Sequence, residues 1–261
     1  MIANIEVLGG QGKRGEPEQV QRVRLGMGEV ASVVGPTGSG KSTLINDLDM
    51  FADGSTPSRR VVLVDGEPAR DELRDDPACH PIAMITQHTN FLSDLPVREF
   101  LTIHARVRGS GGAAPDAVRD EALTFANRLT GEPIDPAWRM TELSGGQTRA
   151  LLIADAVVIG NAPIILLDEI ENAGIHRLRA LELLRRYEKI FVFVTHDPHI
   201  ALLSDYRIVM AGGGMAKVIT TTPAERRLAL LLRQVDDRLL ALRERIRSGE
   251  TLDESRLEVA V

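Results

Sequence analysis

A chain of 261 residues is long enough for one large domain with an insertion or for two small ones. Its 43% hydrophobic and 26% charged residues are ordinary for a soluble globular protein, and a net charge of -6 argues against broad, phosphate-driven nucleic-acid binding. With only 3% aromatic residues, aliphatic side chains must fill the core, and the single cysteine, Cys79, excludes an internal disulfide or a Cys-rich metal site.

The opening residues MIANIEVLGG lack the basic start and long apolar run of a secretory leader. No stretch approaches the roughly 20 apolar residues that span a bilayer. The expectation is a cytoplasmic protein, peripheral at the inner face of the cell membrane if it works there through a docked partner. Ile2–Leu8 reads as a strand, followed by a Gly-rich turn. Val20–Leu25 alternates apolar and polar residues as a half-exposed strand does, and Val30–Val34 is a short apolar run suited to a buried one. A helix is predicted from Ser42, a further strand at Val61–Val64, and a hairpin turn at Asp65–Gly66.

From about Asn90 to Leu143 the spacing becomes helical. Val118, Ala122, Phe125, Ala126 and Leu129 fall on one face, and Gly109–Ala114 separates two helical stretches. Strand character returns in Ile164–Leu167 and Ile190–Val194, with a helix predicted across Ile175–Tyr187 between them. That is βαβ alternation. Pro223 opens an amphipathic helix whose Leu228, Leu231, Leu232, Val235, Leu239, Leu242 and Ile246 recur every three or four residues. The organisation expected is one domain over 1–222, with a helical insertion at about 90–145, and a helical tail over 223–261.

Three motifs carry chemistry. Gly35, Pro36, Thr37, Gly38, Ser39, Gly40, Lys41, Ser42 and Thr43 match a phosphate-binding loop, placed directly after a strand and opening a helix. Its glycines let backbone N–H groups wrap an anion. Lys41 would reach the β/γ-phosphates, and the Ser42 hydroxyl would ligate Mg²⁺. The run Ile164–Leu167 ends in Asp168 and Glu169: Asp168 can hold the Mg²⁺ shell and Glu169 can orient or deprotonate an attacking water. Leu143, Ser144, Gly145, Gly146 and Gln147 make a Ser-Gly-Gly turn into a predicted helix, a second helix N-terminus able to receive an anion.

With Leu143–Gln147 in place between the helical stretch and the acidic strand, the chain resembles the ATP-binding cassette (ABC) family, whose signature is LSGGQ. The resemblance covers roughly residues 1–220. It implies a P-loop α/β core with a mixed sheet, an N-terminal antiparallel β part and an inserted α-helical subdomain. It also implies ATP and Mg²⁺ as ligands, and a head-to-tail pair of subunits in which Ser144, Gly145, Gly146 and Gln147 close over ATP bound by the opposite copy. Gln87 resembles the family's glutamine that contacts Mg²⁺ or water, and His196 resembles its switch histidine at the γ-phosphate. Glu169, His196 and Lys41 are therefore the catalytic candidates, and Ser42, Gln87 and Asp168 the Mg²⁺ candidates.

Three positions depart from the family pattern. No Phe, Trp or Tyr precedes Phe51, so the adenine-stacking aromatic is missing, which predicts reduced discrimination between ATP and GTP. Lys13, Arg14 or aliphatic contacts are left to hold the base. Glu169 is followed by Ile170-Glu171 instead of Pro-Thr, and Ile175 stands where an Asp usually links the two sites. The leading expectation is the ATP-binding subunit of a membrane transporter, paired with itself or another ABC subunit and docked on a permease near Gln87. The alternative is a soluble ABC-type switch acting on a non-membrane protein, favoured by the altered loop and the charged tail. No nucleic-acid partner is expected.

Overall fold

The computed structural model describes residues 2–76, 79–86, 88–108, 113–168 and 177–251. They fall into two compact units, Met1–Thr221 and Thr222–Val261. The first unit begins with β1 (Asn4–Leu8), β2 (Arg22–Gly26), β3 (Val30–Val34), α1 (Lys41–Asp49), β4 (Val61–Val64) and β5 (Glu67–Pro68). It continues with α2 (Asp71–Asp75), β6 (Ile82–Ile85), α3 (Val97–Arg108), α4 (Pro115–Leu129) and α5 (Gly145–Ala154). It closes with β7 (Ile164–Asp168), α6 (Arg177–Leu184), β8 (Ile190–Val194), α7 (Pro198–Leu203), β9 (Tyr206–Ala211) and β10 (Gly214–Thr220).

Two sheets result. The smaller is antiparallel, in the order β2-β1-β4-β5. In β2, Val23 and Leu25 are buried while Arg22 and Arg24 are exposed, the alternation of a strand with one wet face. The turn from β4 to β5 has Asp65 and Gly66 at φ 52° and 83°, the two left-handed residues that a tight hairpin requires. The larger sheet runs β10-β9-β3-β8-β7-β6; β9, β3, β8, β7 and β6 are parallel and β10 is antiparallel to β9. This is the mixed sheet plus antiparallel part that the family resemblance implied.

The continuous apolar runs of β7 and β8 are explained by burial on both faces. Ile165 and Leu167 face one core with α3, α4 and α5, while Ile164 and Leu166 face a second core with α1 and the small sheet. The period-two geometry of a strand sends neighbours to opposite sides. In α4 the buried residues are Val118, Ala122, Phe125, Ala126 and Leu129, the stripe read from the sequence. The Val118, Phe125 and Leu129 side chains, fully buried, each stabilise by about 1.5–3 kcal/mol, and the two alanine methyls by less.

Two elements differ from expectation. The helix opened by Gly145 is α-helical only to Ala154 and then loosens into a π-helical turn, Asp155–Ile159, where the Gly160 N–H donates to the Asp155 carbonyl at 2.7 Å. The β9–β10 hairpin was not read from the sequence at all. The helix expected over Ile175–Tyr187 is described as α6, Arg177–Leu184, and its earlier residues lie outside the described ones.

In the second unit, α8 (Pro223–Arg247) starts at the expected proline. The Leu228, Leu231, Val235, Leu239 and Ile246 side chains on its stripe are 45–59% exposed. Among the described residues, no helix is long and apolar enough to cross a membrane.

Candidate functional site

Parallel strands of this sheet all end at one edge, and the phosphate-loop candidates, Asp168 and His196 collect there. Asp168 pairs in register with Val194, and Val194 with Val33, so β3, β7 and β8 end level. The phosphate-loop candidates follow β3, Asp168 closes β7 and His196 follows β8 by two residues. Such a C-terminal edge is where open α/β sheets bind ligands, because loops and helix N-termini face the same crevice.

The loop itself is built for an anion. Gly35, Gly38 and Gly40 have φ of 151°, 75° and 99°, values that side chains resist. A Cβ on Gly35 would also lie 2.4 Å from the Met210 carbonyl oxygen. Gly40 caps α1 without any side-chain hydrogen bond, so the first-turn N–H groups meet no competing cap at the end where an anion would sit. Lys41 is buried and folded back, its Nζ donating to the Gly35 carbonyl at 2.9 Å and to the Pro36 carbonyl at 3.3 Å. Ser42, Thr43, Pro36, Thr37 and Gly38 are exposed, and Ser39 is buried with no hydrogen-bond partner for its hydroxyl oxygen.

Ser42 and the half-buried Asp168 supply a hydroxyl and a carboxylate at the same edge, the oxygen donors that suit Mg²⁺. His196 is exposed between β8 and α7. The turn that carries it is fixed by Asp197, whose N–H donates to Thr195 Oγ1 and whose carboxylate caps α7 through the His199 and Ile200 N–H groups. Glu169, the proposed base, lies outside the described residues. So do Gln87 and the altered loop through Ile175.

The second helix N-terminus is a complete capping box. Ser144 Oγ accepts from the Gln147 N–H at 3.3 Å, and Gln147 Oε1 accepts from the Ser144 N–H at 3.0 Å. Gln147 Nε2 also donates to the Pro133 carbonyl at 3.2 Å, and the whole residue is buried. Ser144 and Gly145 are exposed, whereas the Gln147 side chain points inward and holds their turn in place.

The structure adds supports that motif reading missed. Lys13, one of the residues left to hold a base, donates from Nζ to the Gly38 carbonyl at 2.7 Å and from its N–H to Gly212 at 2.9 Å. Arg14 is exposed beside it. The β9–β10 tip lies against the phosphate loop, with the Gly213 N–H donating to the Ser39 carbonyl at 3.0 Å. The run Gly212-Gly213-Gly214 between two apolar segments was the sequence signal for that hairpin.

Away from this edge, a cavity of about 480 Å³ opens where the helical insertion meets the sheet. Asp49, Arg74, His80, His104, Arg108 and Asp155 line it, with His104 Nδ1 and Asp155 Oδ1 2.6 Å apart. Burial of Asp49 raises its carboxyl above the usual range, an effect partly offset by His80.

Comparison with known proteins shows the family and the fold. The family model for ABC transporters matches residues 20–172. An ABC transporter ATP-binding protein of Methanocaldococcus jannaschii is 48% identical over 260 residues, covering 100% of this chain and 98% of that one. The thiamine import ATP-binding protein of Brucella suis is 29% identical, covering 77% of this chain and 81% of that one. Among solved structures, cbiO1 of Clostridium perfringens, part of a cbiONQ transporter complex, superposes with a TM-score of 0.63 at 21% identity, covering 95% and 100% of the two chains. A dimeric ATP-binding cassette holding ADP and Pi superposes with a TM-score of 0.61 at 24% identity, covering 84% and 99%.

Proposed function

The chain belongs to the ABC transporter family as an ATP-binding ATPase, and from that premise we propose that two copies sandwich two MgATP and drive a membrane permease. One observation carries the reading. A glycine cradle with Lys41 at the start of α1 and an exposed, capped Ser144–Gly145 turn at the start of α5 occur in a single chain, so it carries two helix N-termini able to receive an anion. In a head-to-tail pair, the turn of each copy closes the cradle of the other.

In that pair the phosphate-loop N–H groups and Lys41 hold the β- and γ-phosphates, and His196 contacts the γ-phosphate. Ser42, Asp168 and Gln87 are the residues that would hold Mg²⁺, which when bound neutralises phosphate charge. Glu169 takes a proton from water as the water oxygen attacks the γ-phosphorus. The bond from that phosphorus to the bridging oxygen breaks, leaving ADP and Pi. Closure on ATP and reopening after product release make the mechanical stroke. Replacing Glu169 by Gln should leave ATP binding intact, abolish steady turnover and accumulate an ATP-bound dimer in size-exclusion chromatography. Turnover at the parental rate sinks the base assignment.

The similar proteins include ATP-binding proteins named for thiamine import, macrolide export and spermidine/putrescine import. Cargo and direction therefore belong to the partner, and the lined cavity beside the helical insertion is the place for a permease segment. Purification under gentle detergent should bring down an integral membrane protein in stoichiometric amount. A soluble enzyme as sole partner would restore the alternative of a soluble switch.

A further inference from the structure

Behind the phosphate loop lies a buried ionic cluster that no part of the catalytic reading uses. Arg60 is completely buried, and its two acidic partners, Glu18 and Asp47, are 4% and 3% exposed. Arg60 Nη1 donates to Asp47 Oδ2 at 2.7 Å, and Nη2 donates to Glu18 Oε1 at 2.5 Å and to the Gly213 carbonyl at 3.0 Å. Its Nε donates to Glu18 Oε1 at 3.1 Å. The acids are satisfied in turn. Glu18 accepts from the Met215 N–H at 2.6 Å and from the Gly10 N–H at 3.0 Å, and Asp47 accepts from Ser58 Oγ at 2.8 Å.

One guanidinium therefore ties together four segments that are far apart in sequence. Asp47 lies on α1, the helix that begins with Lys41. Glu18 lies in the loop between β1 and β2, Arg60 directly precedes β4, and Gly213 is the tip of β9–β10. From Gly213 the path to the phosphate loop is short. Its N–H holds the Ser39 carbonyl at 3.0 Å, and a Cβ on Gly40 would lie 2.9 Å from its oxygen. The loop between β1 and β2 reaches the same place through Lys13, bonded to Gly38 and Gly212.

Stability alone does not call for such a cluster. Apolar residues of similar volume commonly replace a buried ionic triad with no loss, because desolvating three charges offsets much of their attraction. What apolar residues lack is direction. The rigid, planar fork of an arginine fixes the angle and distance of each acceptor. We propose that the Arg60 fork is a positioning device for nucleotide phosphates: it fixes the Gly212–Gly213 tip relative to α1, and through Ser39 and Gly40 it holds the loop in its binding shape before nucleotide arrives. Such preorganisation strengthens phosphate binding because little order remains to be imposed at the moment of contact. The proposal rests on the loop being the ATP site, so parent and Lys41→Ala are titrated with ATP first; absence of binding by the parent overturns that reading separately.

The test compares two fork variants with the parent by calorimetric titration of ATP and ADP, kcat and KM, and thermal melting. The apolar triple variant Glu18→Leu/Asp47→Leu/Arg60→Met removes the charges and keeps the bulk, and Arg60→Lys keeps the charge without the fork. The expected result is a cooperative melt for both, with nucleotide affinity reduced about tenfold in the triple variant and less in Arg60→Lys, the scale of a displaced binding group. KM should rise more than kcat falls. A triple variant that melts cooperatively and binds ATP with parental affinity overturns the proposal, because the cluster would then be structural only. Should the triple variant not fold, Glu18→Gln decides by the same measure: parental affinity overturns the proposal, and a loss of affinity without a matching loss of melting temperature supports it.

Discussion

Base recognition is decided by a few side chains at the mouth of the phosphate loop. The stacking aromatic is absent from the sequence, and Lys13, which could have compensated, spends its ammonium on the Gly38 carbonyl. A lysine drawn to the loop backbone at Gly38 is a point charge with no planar face on which a purine could stack. We therefore expect ATP and GTP to bind with dissociation constants within about threefold of each other, a difference below 1 kcal/mol. Competition titrations with both nucleotides check this, and a preference for ATP above about tenfold would contradict it. A second residue-level effect concerns Lys189. It is 5% exposed, donates to Asn161 Oδ1 at 2.7 Å and to the Ala162 carbonyl at 2.9 Å, and burial lowers its pKa to about 8. Its ammonium is thus harder to hold in the folded chain than in the unfolded one, where it titrates near 10.4. Between about pH 8 and 10 the unfolded state binds more protons, so this lysine makes stability rise with pH, by about 2 kcal/mol. Tyr206 acts oppositely: burial, with Glu29 beside it, raises its phenol, so above about pH 10 its contribution to stability falls. Urea denaturation of parent and Lys189→Met across this range should show a steeper rise in the parent, and identical slopes would refute the assignment. Neither Lys13 nor Lys189 could have been assigned from sequence, because a lysine's partner is set by strands far away in the chain.

At the scale of elements, legibility followed local periodicity. β3 and β4 were placed to the residue because apolar runs bounded by Gly or Asp leave little choice, and the buried stripe of α4 was read correctly because a 3.6-residue period is local. The β9–β10 hairpin escaped because a glycine run between two short apolar segments does not say which strands it joins. Its reason to exist, buttressing Gly35 and Gly40, is a long-range contact. The π-helical turn after α5 escaped for a similar reason: Asp155 leaves the α-helical ladder where it meets His104 from α3. The capping box of α5, by contrast, was written in the sequence as Ser144 and Gln147 three residues apart. Replacing Ser144 with Ala removes one half of it and should destabilise the chain by about 1 kcal/mol. Since the turn would serve the opposite copy, ATPase activity should fall more than that loss explains, while ATP binding by the monomer stays unchanged. Chemical denaturation, monomer titration and turnover measured on one preparation separate these effects, and parental turnover would remove Ser144 from the site.

For the whole molecule, the level ends of β3, β7 and β8 bring the Gly35–Thr43 loop, Asp168 and His196 to one edge of the sheet. Each of these was legible singly, but the edge they share follows from strand order, which no single motif encodes. The division of the chain at Thr221 has its own consequence. Every described residue assigned to the site, and the Arg60 cluster behind it, lies in Met1–Thr221, together with both hydrophobic cores. A chain ended at Thr221 should accordingly fold cooperatively and bind ATP with parental affinity, so that α8 has no part in nucleotide binding. Calorimetric titration of the shortened chain beside the full one checks this directly. A shortened chain that is soluble and folded but binds ATP several-fold more weakly would assign α8 a part in the nucleotide site, and the organisation in two independent units would have to be given up.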